Sequence, residues 1–556
     1  MPTLHWIGKE KIICHHLEVP YHVLQHRYGF TAQGIQKENT GSGNMLIHGD
    51  NLEALKSLLP QYEGKVKCIY IDPPYNTGNE GWIYNDNVNH PKINKWLGRV
   101  VGRETDDLTR HDKWLCMMYP RLQLLRRLLD EDGVIFISIN EEEQASLKII
   151  LDEVFGLTNY LTMFTIKLRH EERILKGDKD FHEVTEQLFM YRKTARFRPH
   201  KKQYDNTSIG EYVYEVIITD DNPVMHVMDD KQVKEYAPTQ FEIKKGDPQL
   251  QRLKKINIRG TLKDGNSSGR FYMKHFNSLA QQKPGYLFSV PDMGDDGTGE
   301  RFFLLPKNEK KANGDYFQGV PQNRPDVKEV PYPNYFDLTD EFNRVGYEGN
   351  VDFRFGKKPI AFLTKLFEIA GIHKQPEAVI LDSFGGSGST AHAVLQQNKA
   401  DGGRRRFILI EMEHYAETIT AERIKQVIRG YGKTSGTGGS FDVYELGEPL
   451  FGEDGQLNAG TDPAKLKEYI WFSETRSPYK NNSTDPVYLG KHNDTGYYFL
   501  YINAEALTLS YDTLGEHVKE KAERYVIYAG SCLLPESFML KHNIEFKKIT
   551  GDIARF

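Results

Sequence analysis

Ala378-Val379-Ile380-Leu381-Asp382-Ser383-Phe384-Gly385-Gly386-Ser387-Gly388-Ser389-Thr390 reads as a buried strand, a glycine-rich turn and the approach to a helix from about Ala391. Glycines let the backbone turn sharply and come close to a ligand with no Cβ in the way. A helix N-terminus adds N–H donors that have no partner within the helix. The next apolar run, Phe407-Ile408-Leu409-Ile410, ends at Glu411, 25 residues beyond Gly386. A carboxylate there can accept bonds from ribose hydroxyls. Strand, turn, helix, strand and acid in this order point to a nucleotide-like cofactor in an α/β domain, against the blander reading of a plain tight turn. Gly386-x-Gly388-x-x-Ala391 also fits a dinucleotide fingerprint, so the loop by itself leaves the cofactor open.

The same texture lies upstream. Met45-Leu46-Ile47-His48 is a short apolar run, and Asp50 or Asn51 can cap a helix carrying Leu52, Leu55, Leu58 and Leu59 on one face. Val66 to Ile71 is a strand that stops at Asp72-Pro73-Pro74-Tyr75, because two prolines forbid continuation of the ladder. A helix from about Asp112 carries Leu115, Met118, Leu122, Leu125 and Leu129, and Gly133 is expected to end it before the strand Val134–Ile139. This βαβα alternation predicts an α/β fold with a doubly wound, mostly parallel sheet. Between 195 and 350 helical periodicity fades and Gly, Pro, Asn, Asp and Lys become frequent, as in Lys263-Asp264-Gly265-Asn266-Ser267-Ser268-Gly269. Long loops in an ordered domain are usually functional. The expected division is an N-terminal arm at 1–43, an α/β first half at 44–194, an insert at 195–350, an α/β second half at 351–430 and, after the glycine-rich break at 430–439, a C-terminal mixed module at 440–556.

The 556 residues amount to three or four domains at roughly 150 residues each. Hydrophobic residues are 39% and aromatics 12%, enough for a sizeable core, so global disorder and collagen-like structure are excluded. No apolar stretch is long enough for a transmembrane helix, and the N-terminus lacks a secretory pattern, so no membrane is expected. Cys14, Cys68, Cys116 and Cys532 are scattered without a CxxC pair, which argues against a disulfide scaffold or a zinc site and makes a reducing cytoplasm the simplest location. His15, His16, His22 and His26 are irregularly spaced, so no metal is expected. The net charge of −5 is uninformative, but the basic runs are local: Arg192, Lys193, Arg196, Arg198, Lys201 and Lys202, then Arg252, Lys254, Lys255, Arg259 and Lys263. Such runs are either solvated faces or the footprint of a polyanion. Arg192 and Lys193, near the junction, also suit a structural role.

Asp72-Pro73-Pro74-Tyr75 closes a buried strand, where ligands gather in open α/β sheets. The prolines stiffen the turn, leaving the Asp72 carboxylate and a backbone carbonyl, that of Pro73, as acceptors beside the face of Tyr75. Two acceptors and a stacking ring suit an exocyclic amino group on a flat heterocycle. Holding both N–H bonds pyramidalises the nitrogen and turns its lone pair toward an electrophile. Cytosine C5 chemistry would need a nucleophilic cysteine after a proline, and none of the four follows one. There is no GxxxxGK[ST] stretch, so ATP hydrolysis is not expected of this chain.

Asp72-Pro73-Pro74-Tyr75 followed far downstream by Asp382-x-Phe384-x-Gly386-Ser387-Gly388-Ser389-Thr390 resembles the β class of S-adenosylmethionine-dependent DNA amino-methyltransferases. Leu4-His5-Trp6-Ile7-Gly8-Lys9-Glu10, Asn76-Thr77-Gly78-Asn79-Glu80-Gly81-Trp82 and His111–Pro120 narrow the likeness to the modification (Mod) subunits of type III restriction–modification systems, which are adenine-N6 methyltransferases. The resemblance covers most of 1–195 and 350–430. It implies a Rossmann-like methyltransferase fold whose insert is a target-recognition domain, with S-adenosylmethionine as cofactor. Asp72, Pro73, Pro74 and Tyr75 would hold and stack the flipped adenine. Asp382, Phe384, Gly386, Gly388 and Glu411 would form the cofactor site, with Asp50, Lys358 and Pro359 as further cofactor-side residues. Arg196, Arg198, Lys201, Lys202, Lys254, Lys255 and Arg259 would meet phosphates of double-stranded DNA. A homodimer and a helicase–nuclease (Res) partner are also implied. Ser389 stands where many members have Thr. The alternatives are a solitary adenine methyltransferase and an NAD-dependent oxidoreductase; the latter gives Asp72–Tyr75 no task.

Overall fold

The computed structural model describes residues 3–77, 95, 98, 109–172, 181–205, 208–307, 313–322, 327–353, 356–452, 457–458, 461–480, 485–502 and 505–549. Residues 78–82 of the motif quoted above lie outside them. The chain forms two compact units, residues 1–200 with 333–556, and residues 201–332.

The first unit is built on one 11-stranded sheet. In chain order its strands are β1 (His22–Thr31), β2 (Gly34–Gln36), β3 (Met45–His48), β4 (Val66–Ile71), β5 (Leu129–Ile139), β6 (Tyr160–Lys167), β7 (Thr185–Arg192), β8 (Tyr335–Asp337), β9 (Val379–Asp382), β10 (Arg406–Glu411) and β11 (Ser440–Pro449). The spatial order is β8-β6-β7-β5-β4-β9-β10-β3-β11-β1-β2. From β5 to β11 every neighbouring pair is parallel, while β7 and β1 run antiparallel to their neighbours. Among the described residues its α-helices of eight or more residues are α1 (Asn51–Tyr62), α2 (Arg110–Leu128), α3 (Glu141–Phe155), α4 (Ile360–Ile369), α5 (Ser389–Asp401), α6 (Glu422–Arg429) and α7 (Pro463–Thr475). They cover both faces, as a central parallel sheet requires. Ile69, Ile71, Ile135 and Ile137 share a core with α1, α2 and α3, whereas Tyr70 points the other way and meets Phe362 of α4 edge-on, ring centroids 5.8 Å apart. The α/β, doubly wound, mostly parallel fold is therefore what the sequence alternation predicts.

The site's position follows from connectivity. The chain leaves β4 for α2 and β5 on one side, and leaves β9 for α5 and β10 on the other. β4 and β9 are adjacent and parallel, with Leu381 opposite Ile69. The strand order thus reverses between them, and a crevice opens beyond their carboxyl ends. Asp72 and Asp382 stand at those two ends.

Several sequence expectations are corrected. Gly133 does not stop a helix: α2 ends at Leu128, and Gly133 lies inside β5. A Cβ there would come within 2.9 Å of the Val66 and Asp130 carbonyl oxygens, so the glycine serves a close strand approach beside a register shift. Residues 22–36 are not an arm but a hairpin that adds antiparallel strands to β11. Residues 440–449 belong to the main sheet, and Leu466, Tyr469, Ile470 and Phe472 of α7 pack into its core, so 440–556 is not separate from it. A four-stranded sheet, Tyr488–His492, Thr495–Phe499, Arg524–Ala529 and Ile544–Lys548, follows. Residues 195–200 and 333–350 stay with the first unit. Tyr335–Asp337 pairs with β6, and Phe336 stacks on Phe164 with centroids 5.3 Å apart.

The second unit, 201–332, holds a six-stranded antiparallel sheet in the order Val224–Met228, Lys231–Tyr236, Leu287–Pro291, Glu300–Leu304, Asp315–Gln318, Lys254–Asn257. The helix Ser267–His275 lays Phe271 and Tyr272 against Phe288, Phe303 and Tyr316, which gives this unit its own core.

Candidate active site

The turn after β4 is braced from three sides. The Trp114 indole N–H of α2 donates to the Pro74 carbonyl at 2.7 Å. Asn76 takes the left-handed conformation, φ 61°, and donates to the buried carboxylate of Glu143 on α3, which also lies 2.7 Å from His111 Nδ1. The Tyr75 hydroxyl lies 2.7 Å from Asp72 Oδ1 and 3.1 Å from Glu186 Oε2.

Lys358 completes this cluster. Its ammonium stands 3.1 Å from Asp72 Oδ2 and 3.0 Å from Glu186 Oε2, and donates to the Tyr75 hydroxyl at 2.9 Å. Asp72, Glu186 and Lys358 are all buried. Burial works against the charge on Lys358, but the Asp72 and Glu186 carboxylates outweigh it and hold its pKa above the ordinary lysine value. Burial pushes Glu186 upward, with Lys358 pulling the other way. Burial, then the Asp72 charge, keep the Tyr75 phenol far from ionisation. Lys358, expected on the cofactor side, therefore sends its side chain into the Asp72–Tyr75 cluster; only its backbone carbonyl turns to the glycine loop, accepting from Ser389 Oγ at 2.9 Å. Pro359 is the residue before α4.

The loop after β9 is held by its own acids. Asp382 accepts from the Phe384 N–H at 3.1 Å and from the Thr390 hydroxyl at 2.6 Å, so it braces the loop. Burial pushes it up to about 8. Glu411 accepts from the Gly386 N–H at 2.7 Å and the Glu413 N–H at 2.9 Å. Gly386 and Gly388 have φ of 50° and 79°, where side chains are strained. Arg423, fully buried, donates to the Ser387 and Ser389 hydroxyls at 2.8 and 2.7 Å.

Both turns line one cleft, together with Asn51, Arg121, Glu411 and Tyr415 among others; Pro74 comes from the first turn and Phe384 from the second. Its walls suit a nucleoside: apolar and aromatic surface from Phe384, Ile410, Met412 and Tyr415, with a buried carboxylate at Glu411. The Met412 N–H and the Tyr415 hydroxyl also interact with the Glu411 carboxylate. Asp50, expected to bind cofactor, caps α1 by accepting from the Leu52 N–H at 2.8 Å and sits 3.3 Å from Arg121 Nη2. Asn51 and Arg121 line the cleft.

The sequence assigns no site role to Glu186, Trp114, Asn51, Arg121 or Arg423. Glu186 carried a signal: on β7 it shares a face with Leu188 and Met190, so a carboxylate there had to be buried. The basic residues divide. Arg196, Arg198, Lys201, Lys202 and Arg259 are exposed. Lys254 is paired with Glu211, and Lys255 lies 3.0 Å from Asp315, so these two do not present free charge. Lys193 donates to the Leu129 carbonyl at 2.7 Å and Arg192 to that of Thr158 at 3.2 Å, both structural. Among the described residues no group of three or more His, Cys, Asp or Glu could hold a metal, and no helix is long and apolar enough to cross a membrane.

Residues 66–422 match the N6_N4_Mtase family of DNA methylases. The EcoPI Mod subunit of a type III restriction–modification enzyme from Escherichia phage P1 is 29% identical over 72% of this chain and 64% of its own length. The StyLTI Mod subunit from Salmonella typhimurium is 31% identical over 68% of this chain and 53% of its own. This chain thus spans between half and two-thirds of the length of those relatives. A crystal structure of the M1.HpyAVI–SAM complex overlaps 68% of this chain and 99% of its own at 13% identity and a TM-score of 0.29, so the fold assignment rests on the strand order above.

Proposed function

This chain belongs to the DNA methylase family, and from that we propose that it transfers a methyl group from S-adenosylmethionine to the N6 amino group of adenine in duplex DNA, as the modification and specificity subunit of a type III restriction–modification system. The observation that carries the reading is the shared cleft. Pro74 of the amine-clamp turn and Phe384 and Glu411 of the glycine-loop side line one cavity at the sheet's reversal point. S-adenosylmethionine, when bound, supplies an electrophilic methyl group on a sulfonium.

The chain's own residues do the rest. Glu411 accepts the ribose hydroxyls, Phe384 and Tyr415 flank the adenosine, and Asp382, Gly386 and Gly388 shape the loop. The Trp114 bond fixes the Pro74 carbonyl; the backbone acceptor for the target amine is the Pro73 carbonyl, with Asp72 as its partner. Tyr75 stacks on the extruded base and offsets part of the few kcal/mol that unstacking costs. Arg196, Arg198, Lys201, Lys202 and Arg259 meet phosphates. A second copy of the chain and a helicase–nuclease subunit are its partners, which co-purification and sedimentation test.

The deciding experiment incubates the protein with methyl-labelled S-adenosylmethionine and random-sequence duplex DNA and maps the modified base. N6-methyladenine at one sequence context is expected. Label on cytosine, or none on DNA, overturns the reading.

A further inference from the structure

Glu186 has no task in the reaction as drawn, yet it is buried with one carboxylate oxygen, Oε1, that meets no donor. Its other oxygen shares Lys358 and the Tyr75 hydroxyl with Asp72. Two carboxylates, one ammonium and one phenol thus form a closed ring, removed from water. Two carboxylates sharing a site cannot both ionise easily without a cation between them. Among the described residues, Tyr70 of β4 and Asp382 of β9, both buried, also face this ring. Neither is a cation; Lys358 is the cation that bridges the two carboxylates.

We infer that Lys358 and Glu186 are positioning residues of the amine clamp: the Lys358 ammonium bridges the two carboxylates and presents Asp72 to the target amine as a fixed acceptor, while Glu186 anchors Lys358 and the Tyr75 hydroxyl from the β7 side. This deepens the methyltransferase reading and rests on it. A carboxylate that had taken up a proton would offer a donor to the amine where an acceptor is needed. The pair therefore acts on turnover through Asp72, while the cleft that holds Phe384 and Glu411 keeps its affinity.

The test compares wild type, Lys358→Met, Lys358→Arg, Glu186→Gln and the Lys358→Met/Glu186→Gln double variant. In Lys358→Met the two carboxylates must share a proton. At neutral pH kcat falls about 100-fold with the cofactor Kd unchanged, a loss of the size expected when one preorganised charged partner is removed. Its activity then climbs with pH, displaced to the alkaline side of wild type. Lys358→Arg restores much of the rate. The double variant recovers about tenfold over Lys358→Met, because one negative charge no longer needs a cation and the two losses do not add. Losses that add, or a Lys358→Met profile superimposable on wild type, overturn the inference.

Thermal unfolding gives a readout independent of methyl transfer. In Lys358→Met the shared carboxyl has a folded pKa above its unfolded one, so stability present at acid pH is lost as pH rises toward neutrality. In the double variant, with one carboxylate left, this slope is smaller. If wild type transfers no methyl to DNA, the functional reading falls while these melts still judge the charge ring; equal slopes in the two variants sink the ring alone.

Discussion

Glu411 is buried at the mouth of the cofactor cleft with a backbone N–H on each oxygen, and burial raises its pKa to about 7. The native state therefore holds a proton that the unfolded chain has lost between its ordinary carboxylate value and about pH 7. Stability contributed by that proton falls as pH rises through this window. Cofactor binding runs the other way: the charged carboxylate is the better acceptor, so affinity for S-adenosylmethionine should weaken as pH drops from 8 to 6. Calorimetric titration at several pH values checks this, and Glu411→Gln should flatten the dependence while lowering affinity. Asp72→Ala removes the clamp's side-chain acceptor and should cut kcat by about 1,000-fold or more. Because Asp72 is buried against Lys358, the change should also cost about 1–3 kcal/mol of stability, read by denaturant unfolding. Gly388→Val would force a branched side chain into φ 79° and set a Cβ 3.3 Å from the Thr420 carbonyl oxygen. Its first effect should be a raised cofactor Kd.

At the scale of elements, α2 links the two halves of the site. It carries Trp114 to the Pro74 carbonyl and Arg121 to Asn51 and Asp50. Its first turn is held by a capping box in which Thr109 and Asp112 satisfy each other's backbone N–H groups. Thr109→Ala should cost about 0.5–2 kcal/mol, the usual worth of such a cap. If α2 is the brace described, the melting temperature falls together with kcat; a lower melting temperature with unchanged kcat would make the cap a stabiliser only. The same region shows where local reading misleads. Gly133 looks like a helix stop because glycine commonly is one. Here its missing Cβ answers to the Val66 carbonyl on a neighbouring strand, a contact between residues 67 positions apart.

At the scale of the molecule, the C-terminal residues belong to the main core. Leu466, Tyr469, Ile470 and Phe472 are each at most 2% exposed. A chain ended after residue 452 should lose their burial and aggregate or melt well below the full chain, since fully burying one such side chain is worth about 1.5–3 kcal/mol. An unchanged melting temperature would mean that the module folds apart. For DNA binding, Arg196→Ala and Arg198→Ala, both at exposed positions, should each lower the slope of log K against log salt by about 1. Lys255→Ala should barely change that slope, because Asp315 already neutralises its charge.

Local pattern was enough for the βαβ alternation, the strand ends at Asp72 and Asp382 and the chemistry of each turn, because burial periodicity, proline and glycine act over a few residues. It reached the family for the same reason: the motifs are contiguous. Which strands are neighbours is a different matter. The adjacency of β4 and β9 sets Pro74 and Phe384 on one cleft although 310 positions separate them. The ring of Asp72, Tyr75, Glu186 and Lys358 draws on three distant segments, and nothing near Lys358 in the chain says that its charge will be spent on two carboxylates. Those outcomes depend on long-range packing of the sheet and on the demand that a buried charge find partners, both of which exist only once the chain has folded.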